Sequence, residues 1–202
     1  LHLMEIYILR HAETDYNKKG IIQGSEVDSN INSTGILQSD KFYSKYKDIE
    51  FDKVFVSNLK RTYQTVKNFI EINNIPFEKL KEFNEISWGV NQGKNDDLKD
   101  YKKLIDTWLD GELDNKFERG ESPNEMVIRL VEGFKYIISH NLERVLLCIH
   151  GRALRILLSE VLDKDLTKMD KYPHSNTGLY IMKYVDEENV RIMKSNLRDH
   201  LG

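Results

Sequence analysis

The chain has 202 residues, 40% of them hydrophobic and 31% charged, with a formal net charge of −3. That is the size and balance of one ordinary soluble domain able to bury its own core, and 1–202 is read as a single domain. The charge argues against a general nucleic-acid binder while leaving room for a local basic pocket, no apolar stretch is long enough to cross a bilayer, and one cysteine cannot close an internal disulfide. A protein of the cytoplasm, without nucleic-acid or membrane partners, is the expectation.

Leu1-His2-Leu3 lie ahead of Met4 and are set aside from functional reasoning. Glu5–Leu9 is a short apolar, β-branched-rich run and predicts the first strand. Asn32 is placed to cap a helix carrying Leu37, Tyr43 and Tyr46. Lys53–Val56 predicts a second strand, followed by a helix whose apolar stripe is Leu59, Tyr63, Val66 and Ile70 and which Asn73-Asn74 and Pro76 end. From Gly93 to Gly120 the chain is rich in Lys and Asp, with Leu98, Tyr101, Ile105, Trp108 and Leu109 at helical spacing. Ser122-Pro123-Asn124-Glu125 combines a capping box with Pro at the first helical position, and Met126, Leu130, Phe134 and Ile137 supply the face that follows. Arg144–Ile149 predicts a third strand, in which Cys148 reads as a buried thiol and not a nucleophile. Thr177–Val185 and Val190–Met193, joined through Asp186-Glu187-Glu188-Asn189, predict a late hairpin. Strands alternating with helices give an α/β fold with a mostly parallel central sheet.

The informative residues stand where these strands end. Arg10-His11 follows the first, Ser57 the second with Arg61 one turn into the next helix, and His150-Gly151 the third. In an open α/β sheet the crevice beyond the carboxyl ends of parallel strands binds ligands, so these positions can share one pocket. Two histidines and two arginines suit phosphate, because a guanidinium offers a planar fork of donors and a helix N-terminus adds free N–H groups.

Several blocks in order along the chain carry a family resemblance. They are Leu9-Arg10-His11-Ala12-Glu13-Thr14 with Asn17, then Gln23-Gly24, Asp28 through Gly35 with Gln38, and Ser57-Asn58-Leu59-Lys60-Arg61-Thr62 with Gln64-Thr65. Glu85 with Trp88-Gly89 and Gly93, Gly120-Glu121-Ser122 with Glu125 and Arg129, and His150-Gly151 complete them. The chain resembles the histidine phosphatases, the phosphoglycerate-mutase-like superfamily, with Ala12 where that family commonly has Gly. The resemblance implies a three-layer sheet with helices on both faces. It also implies His11 as a nucleophile that forms a phosphohistidine, its other nitrogen held by an acceptor such as a backbone carbonyl near the following loop. Arg10, Arg61 and His150 would surround the transferring phosphoryl group. Glu85 would give a proton to the leaving oxygen and then activate water. Asn17, Gln23, Gly24, Ser57 and Gly151 would contact substrate. His174, in Tyr172-Pro173-His174-Ser175-Asn176, reads as an ordinary loop histidine, and His140 and His200 have no partner pattern. Residues 94–120 fall where the family carries a variable insertion, so that segment has two readings: a lid over the pocket, or a solvated helix with an ordinary core stripe.

No spaced His/Cys/Asp cluster suggests a metal, and no cofactor is expected. The implied activity is hydrolysis of a small phosphorylated metabolite. A cofactor-dependent phosphoglycerate mutase is the alternative, and a phospholigand-binding pseudoenzyme a lesser one. Against the mutase, Ile86, Ser87 and Trp88 replace the Arg-His-Tyr that follows this Glu in mutases, and no Arg-Arg pair occurs in 94–120. Gln92 before Gly93 is the one feature that leans toward it.

Overall fold

The computed structural model describes residues 2–94 and 98–202. Its centre is a six-stranded sheet of β1 (Met4–Arg10), β2 (Lys53–Val56), β3 (Phe77–Lys79), β4 (Arg144–Ile149), β5 (Leu179–Tyr184) and β6 (Val190–Leu197), in the order β3-β2-β4-β1-β5-β6. The pairings from β3 through β1 are parallel; β5 runs antiparallel to both β1 and β6, closing the expected hairpin.

β1 and β4 are apolar almost throughout because both of their faces are covered. Side chains alternate across the sheet. Ile6, Ile8, Phe55, Val145, Leu147 and Ile149 face one core, which α5 (Pro123–Ser139) and α6 (Gly151–Leu158) close with Met126, Leu130, Ile137 and Leu154. Tyr7, Leu9, Val54, Val56, Leu146 and Cys148 face the other, closed by α2 (Ser33–Tyr46) and α3 (Lys60–Glu71) through Phe42, Tyr46, Val66 and Phe69. The outcome is the expected three-layer α/β arrangement. In α2 the stripe is rotated from expectation, since Leu37 is 62% exposed while Phe42 is fully buried. In α3, Val66 of the expected stripe is fully buried together with Phe69, and Tyr63 and Ile70 only flank that core.

Local signals set the helix ends. Asn32 caps α2 through the Gly35 amide, and Ser122 with Glu125 forms the capping box of α5, with Pro123 at its first position. The unexpected α1 (Asp15–Lys19) is capped in the same way by Thr14 and Asn17 and ends at Gly20, whose φ of 67° is the left-handed conformation a side chain would disfavour. The short edge strand β3 was also unexpected, because Phe77-Glu78-Lys79 has no apolar period to show it.

The helix in the Lys- and Asp-rich region is α4 (Lys99–Leu109). Ile105 and Trp108 are buried, whereas Leu98 and Leu109 are partly exposed. Trp108 stacks on Trp88 with ring centroids 5.8 Å apart, Tyr101 and Phe117 also approach Trp88, and Trp108 Nε1 donates to the Asn115 carbonyl at 2.7 Å. α4 is thus tied to the body by aromatic packing. Of the segment 94–120, residues 95–97 lie outside the described residues. No helix among the described residues is long and apolar enough to cross a membrane.

Candidate active site

Strand register brings the sequence-distant histidines together. Arg10 of β1 lies opposite Ile149 of β4, and the His11 amide donates to the Ile149 carbonyl at 2.9 Å, so His11 and His150 emerge side by side with ring centroids 5.2 Å apart. Val56 of β2 lies opposite Cys148, which brings Ser57 to the other flank of His150, its Oγ 2.8 Å from His150 Nε2.

His11 Nδ1 lies 2.7 Å from the Ala12 carbonyl oxygen. A carbonyl only accepts, so Nδ1 carries the proton and Nε2 keeps its lone pair. Burial, then Arg61 and Arg10, hold the His11 pKa well below the usual histidine value, against a smaller opposing effect of the Ala12 bond; His150 is lowered likewise by burial and by Arg61, His11 and Arg10. Both rings are neutral at neutral pH. The loop carrying His11 is held by Ala12 N–H donating to Thr65 Oγ1 at 2.8 Å and by Asn176 Nδ2 donating to the His11 carbonyl at 3.0 Å.

The two arginines flank these rings. Arg61, fully buried at the start of α3, donates from Nη1 to the Val27 carbonyl at 2.5 Å and from Nη2 to the Gly24 carbonyl at 3.4 Å. Burial lowers the Arg10 and Arg61 pKa values to about 10, with Glu85 opposing in each case, so both remain charged at neutral pH. Arg10 Nε, Arg61 Nε and His150 Nδ1 are buried without a hydrogen-bond partner. Buried polar atoms are rarely left so, and unpaired atoms on two cations and a histidine suit an anion, although of the three residues only Arg10 lines the cavity while Arg61 and His150 are buried behind it.

Glu85 is buried, and its carboxylate meets the N-terminus of α6. Oε2 accepts from Arg152 N at 3.1 Å, and Oε1 from Ala153 N at 3.0 Å and Ile86 N at 2.9 Å. From behind, Arg129 grips the same loop, donating to the carbonyls of Glu82, Asn84 and Glu85 while pairing with Glu121.

A cavity of about 240 Å³ opens over this group, lined by Arg10, His11, Glu85, Trp88, Arg152 and His174 among others. Of the residues the sequence singled out for substrate contact, Asn17, Gln23 and Gly151 line it. Gln23 Oε1 accepts from Thr14 Oγ1 and Ser29 Oγ, and Asn17 Oδ1 from Asn176 Nδ2. Gly24 and Ser57 stand behind the wall. Gly24 lies so close to the Ile86 carbonyl that a Cβ would come within 2.6 Å of it, and Ser57 meets His150 from beneath. Gln92 is turned away to accept from the Glu26 amide at 3.1 Å. Among the described residues no His, Cys, Asp or Glu cluster could hold a metal ion.

His174, Arg152 and Tyr101 also line the cavity, and sequence reasoning passed over all three. For His174 the signal is topological: β5 runs antiparallel to β1, so the loop before Leu179 must end beside Arg10. Its ring packs on Gly151, where a Cβ would lie 2.7 Å from His174 Cε1, and burial followed by Arg10, Arg155 and Arg152 lowers its pKa to about 2. For Arg152 the signal was its place in the first turn of a helix that follows a candidate site residue.

A family model described as histidine phosphatase superfamily (branch 1) matches residues 6–197. Broad-specificity phosphatase YOR283W of Saccharomyces cerevisiae is 29% identical over 211 aligned residues, covering 100% of this chain and 89% of that protein. Phosphoserine phosphatase 1 of Hydrogenobacter thermophilus is 26% identical over 99% of this chain and 95% of its own length. Among solved structures, Bacillus stearothermophilus YhfR superposes with a TM-score of 0.86 at 22% identity, over 98% of this chain and 100% of that one.

Proposed function

This chain belongs to the histidine phosphatase superfamily, and from that membership we propose that it is a phosphomonoester hydrolase working through a phosphohistidine on His11, with a small phosphorylated metabolite as substrate. The observation that carries the reading is the fixed tautomer of His11, whose Nε2 lone pair is free, beside unpaired buried nitrogens on Arg10, Arg61 and His150. In this reading Nε2 attacks phosphorus and the P–O bond to the leaving group breaks. Arg10, Arg61 and His150 stabilise the charge on the non-bridging oxygens. Glu85 protonates the leaving oxygen, then takes a proton from the water that attacks the phosphohistidine, returning His11 to its starting state and releasing phosphate. The cations meeting the phosphoryl group are side chains, so turnover is expected to survive a chelator. Asn17, Gln23 and Gly151 contact the substrate from the wall, and Gly24 and Ser57 act by placing Arg61 and His150.

Hydrolysis is favoured over mutase action by what replaces the carboxylate-holding residues of mutases. Ile86 is buried in the core, Ser87 Oγ donates to Glu26 at 2.8 Å, and Trp88 is stacked on Trp108. None of them offers a cation to the pocket. The test is a hydrolysis screen over phosphorylated metabolites with phosphoglycerate isomerisation assayed in parallel, and an acid-labile, base-stable phosphoprotein sought in quenched reactions. Phosphate release with that intermediate is expected. Efficient phosphoglycerate interconversion with little free phosphate reverses the assignment to a mutase, and phospholigand binding without turnover reverses it to a pseudoenzyme.

A further inference from the structure

Arg152 and Tyr101 stand together on the cavity wall. Arg152, in the first turn of α6, is 5% exposed; its Nη1 pairs with Asp170 Oδ1 at 2.7 Å and its Nη2 donates to the Tyr101 hydroxyl at 3.1 Å. The guanidinium also lies over the Trp108 ring at 5.7 Å, and its Nε is buried with no hydrogen-bond partner.

Two features point from this pair to an anion. Arg155 Nη1 takes the same Asp170 oxygen at 2.8 Å, so one carboxylate serves two guanidiniums and one positive charge beside the cavity is left over among the described residues. The Tyr101 hydroxyl accepts from Arg152, and its own proton has no acceptor among the described residues. A hydroxyl that accepts from a guanidinium is polarised into a stronger donor. The wall thus presents a charge and a donor that the phosphoryl group, held by Arg10, Arg61 and His150 in the reading above, does not need.

We propose that Arg152 and Tyr101 form a leaving-group subsite for a second negative charge, making the substrates small phosphomonoesters that carry a carboxylate near the ester oxygen. A cavity of about 240 Å³ lies below the usual range of small-molecule sites and suits a phosphoryl group on a few carbon atoms. The inference rests on the phosphatase reading.

The test compares 3-phosphoglycerate with glycerol 3-phosphate, which share a carbon skeleton and differ by a carboxylate against a hydroxymethyl group. The wild-type protein is expected to favour the carboxylated ester in kcat/KM by roughly tenfold or more, the scale of a hydrogen bond to a charged group. Tyr101→Phe, which keeps the ring, and Arg152→Gln, which removes the charge, are each expected to cut that ratio several-fold through KM for the carboxylated ester. A loosened α4 would instead slow both esters alike. Hydrolysis of p-nitrophenyl phosphate with no carboxylate preference, or a preference unchanged in both variants, overturns the subsite and leaves the phosphatase reading standing. Failure to hydrolyse any ester overturns both.

Discussion

On the floor of the site, His11 lines the cavity with His150 and Ser57 behind it, all three placed by the register of three neighbouring strands; on the outer wall, Trp88, Tyr101 and Arg152, backed by Trp108, are placed by rings and a guanidinium drawn from separate segments. Register fixes the floor through backbone hydrogen bonds, so a side chain there can be changed with little effect on its neighbours' positions. The wall has no such frame, and each of its members helps to hold the others. Floor substitutions should therefore alter chemistry at nearly constant stability, and wall substitutions should alter stability together with substrate preference.

The largest expected effect is at the floor. His11→Ala should lower turnover by at least about a thousandfold, as expected for loss of a nucleophile, and abolish the trapped phosphoprotein while leaving the melting curve nearly unchanged. Substantial residual turnover, or a broad loss of stability, would break the comparison. Next come the two charged groups. Arg61→Ala removes charge from a part common to all substrates and should slow alkyl and aryl phosphates alike, by on the order of a hundredfold or more. Glu85→Gln should cost alkyl phosphates about a hundredfold but p-nitrophenyl phosphate far less, because a good leaving group needs no proton. Phosphorylation-limited single turnovers read this contrast, and equal losses would remove Glu85 from the donor role.

Behind the wall, Trp108→Phe shrinks a fully buried ring and removes the donor to the part-buried Asn115 carbonyl, and should destabilise the fold by about 1–3 kcal/mol, measured by denaturant unfolding, while phosphohistidine still forms. Acid should separate the regions in another way. His11, His150 and His174 have folded pKa values below the usual 6.5, so the unfolded chain binds protons first. The stability they contribute is full above about pH 6.5 and is lost as pH falls below it toward their folded values. His174→Asn should make that acid loss shallower, as followed by thermal melts across pH. The smallest effect concerns Cys148, whose pKa burial pushes up well beyond that of a free thiol; alkylating reagents are expected to leave the native protein's activity unchanged.

Legibility in the sequence follows the same division. Strand ends are marked by short apolar runs, so Arg10, His11, Ser57 and His150 could be located before their partners were known. α5 was legible because Ser122, Pro123 and Glu125 act over one turn. The wall depends on contacts among residues 88, 101, 108, 117 and 152, which no local period encodes. His174 was missed for a related reason: the hairpin of β5 and β6 could be read, but not that β5 would lie against β1. The exposure of Leu37 shows periodicity failing locally, because in α2 the small Gly35 and Ser39 share the buried face with Phe42 and Tyr46.

The Glu85 carboxylate is held by main-chain amides of Ile86, Arg152 and Ala153, and a main-chain amide is the same whatever side chain it bears. Mutational drift at those three positions can change size, charge or polarity without deleting a donor. Proline alone removes the N–H, and positions 152 and 153 are the second and third residues of α6. A proline at 153 would thus withdraw one of the three donors to Glu85, at a position whose side chain is also buried in the core.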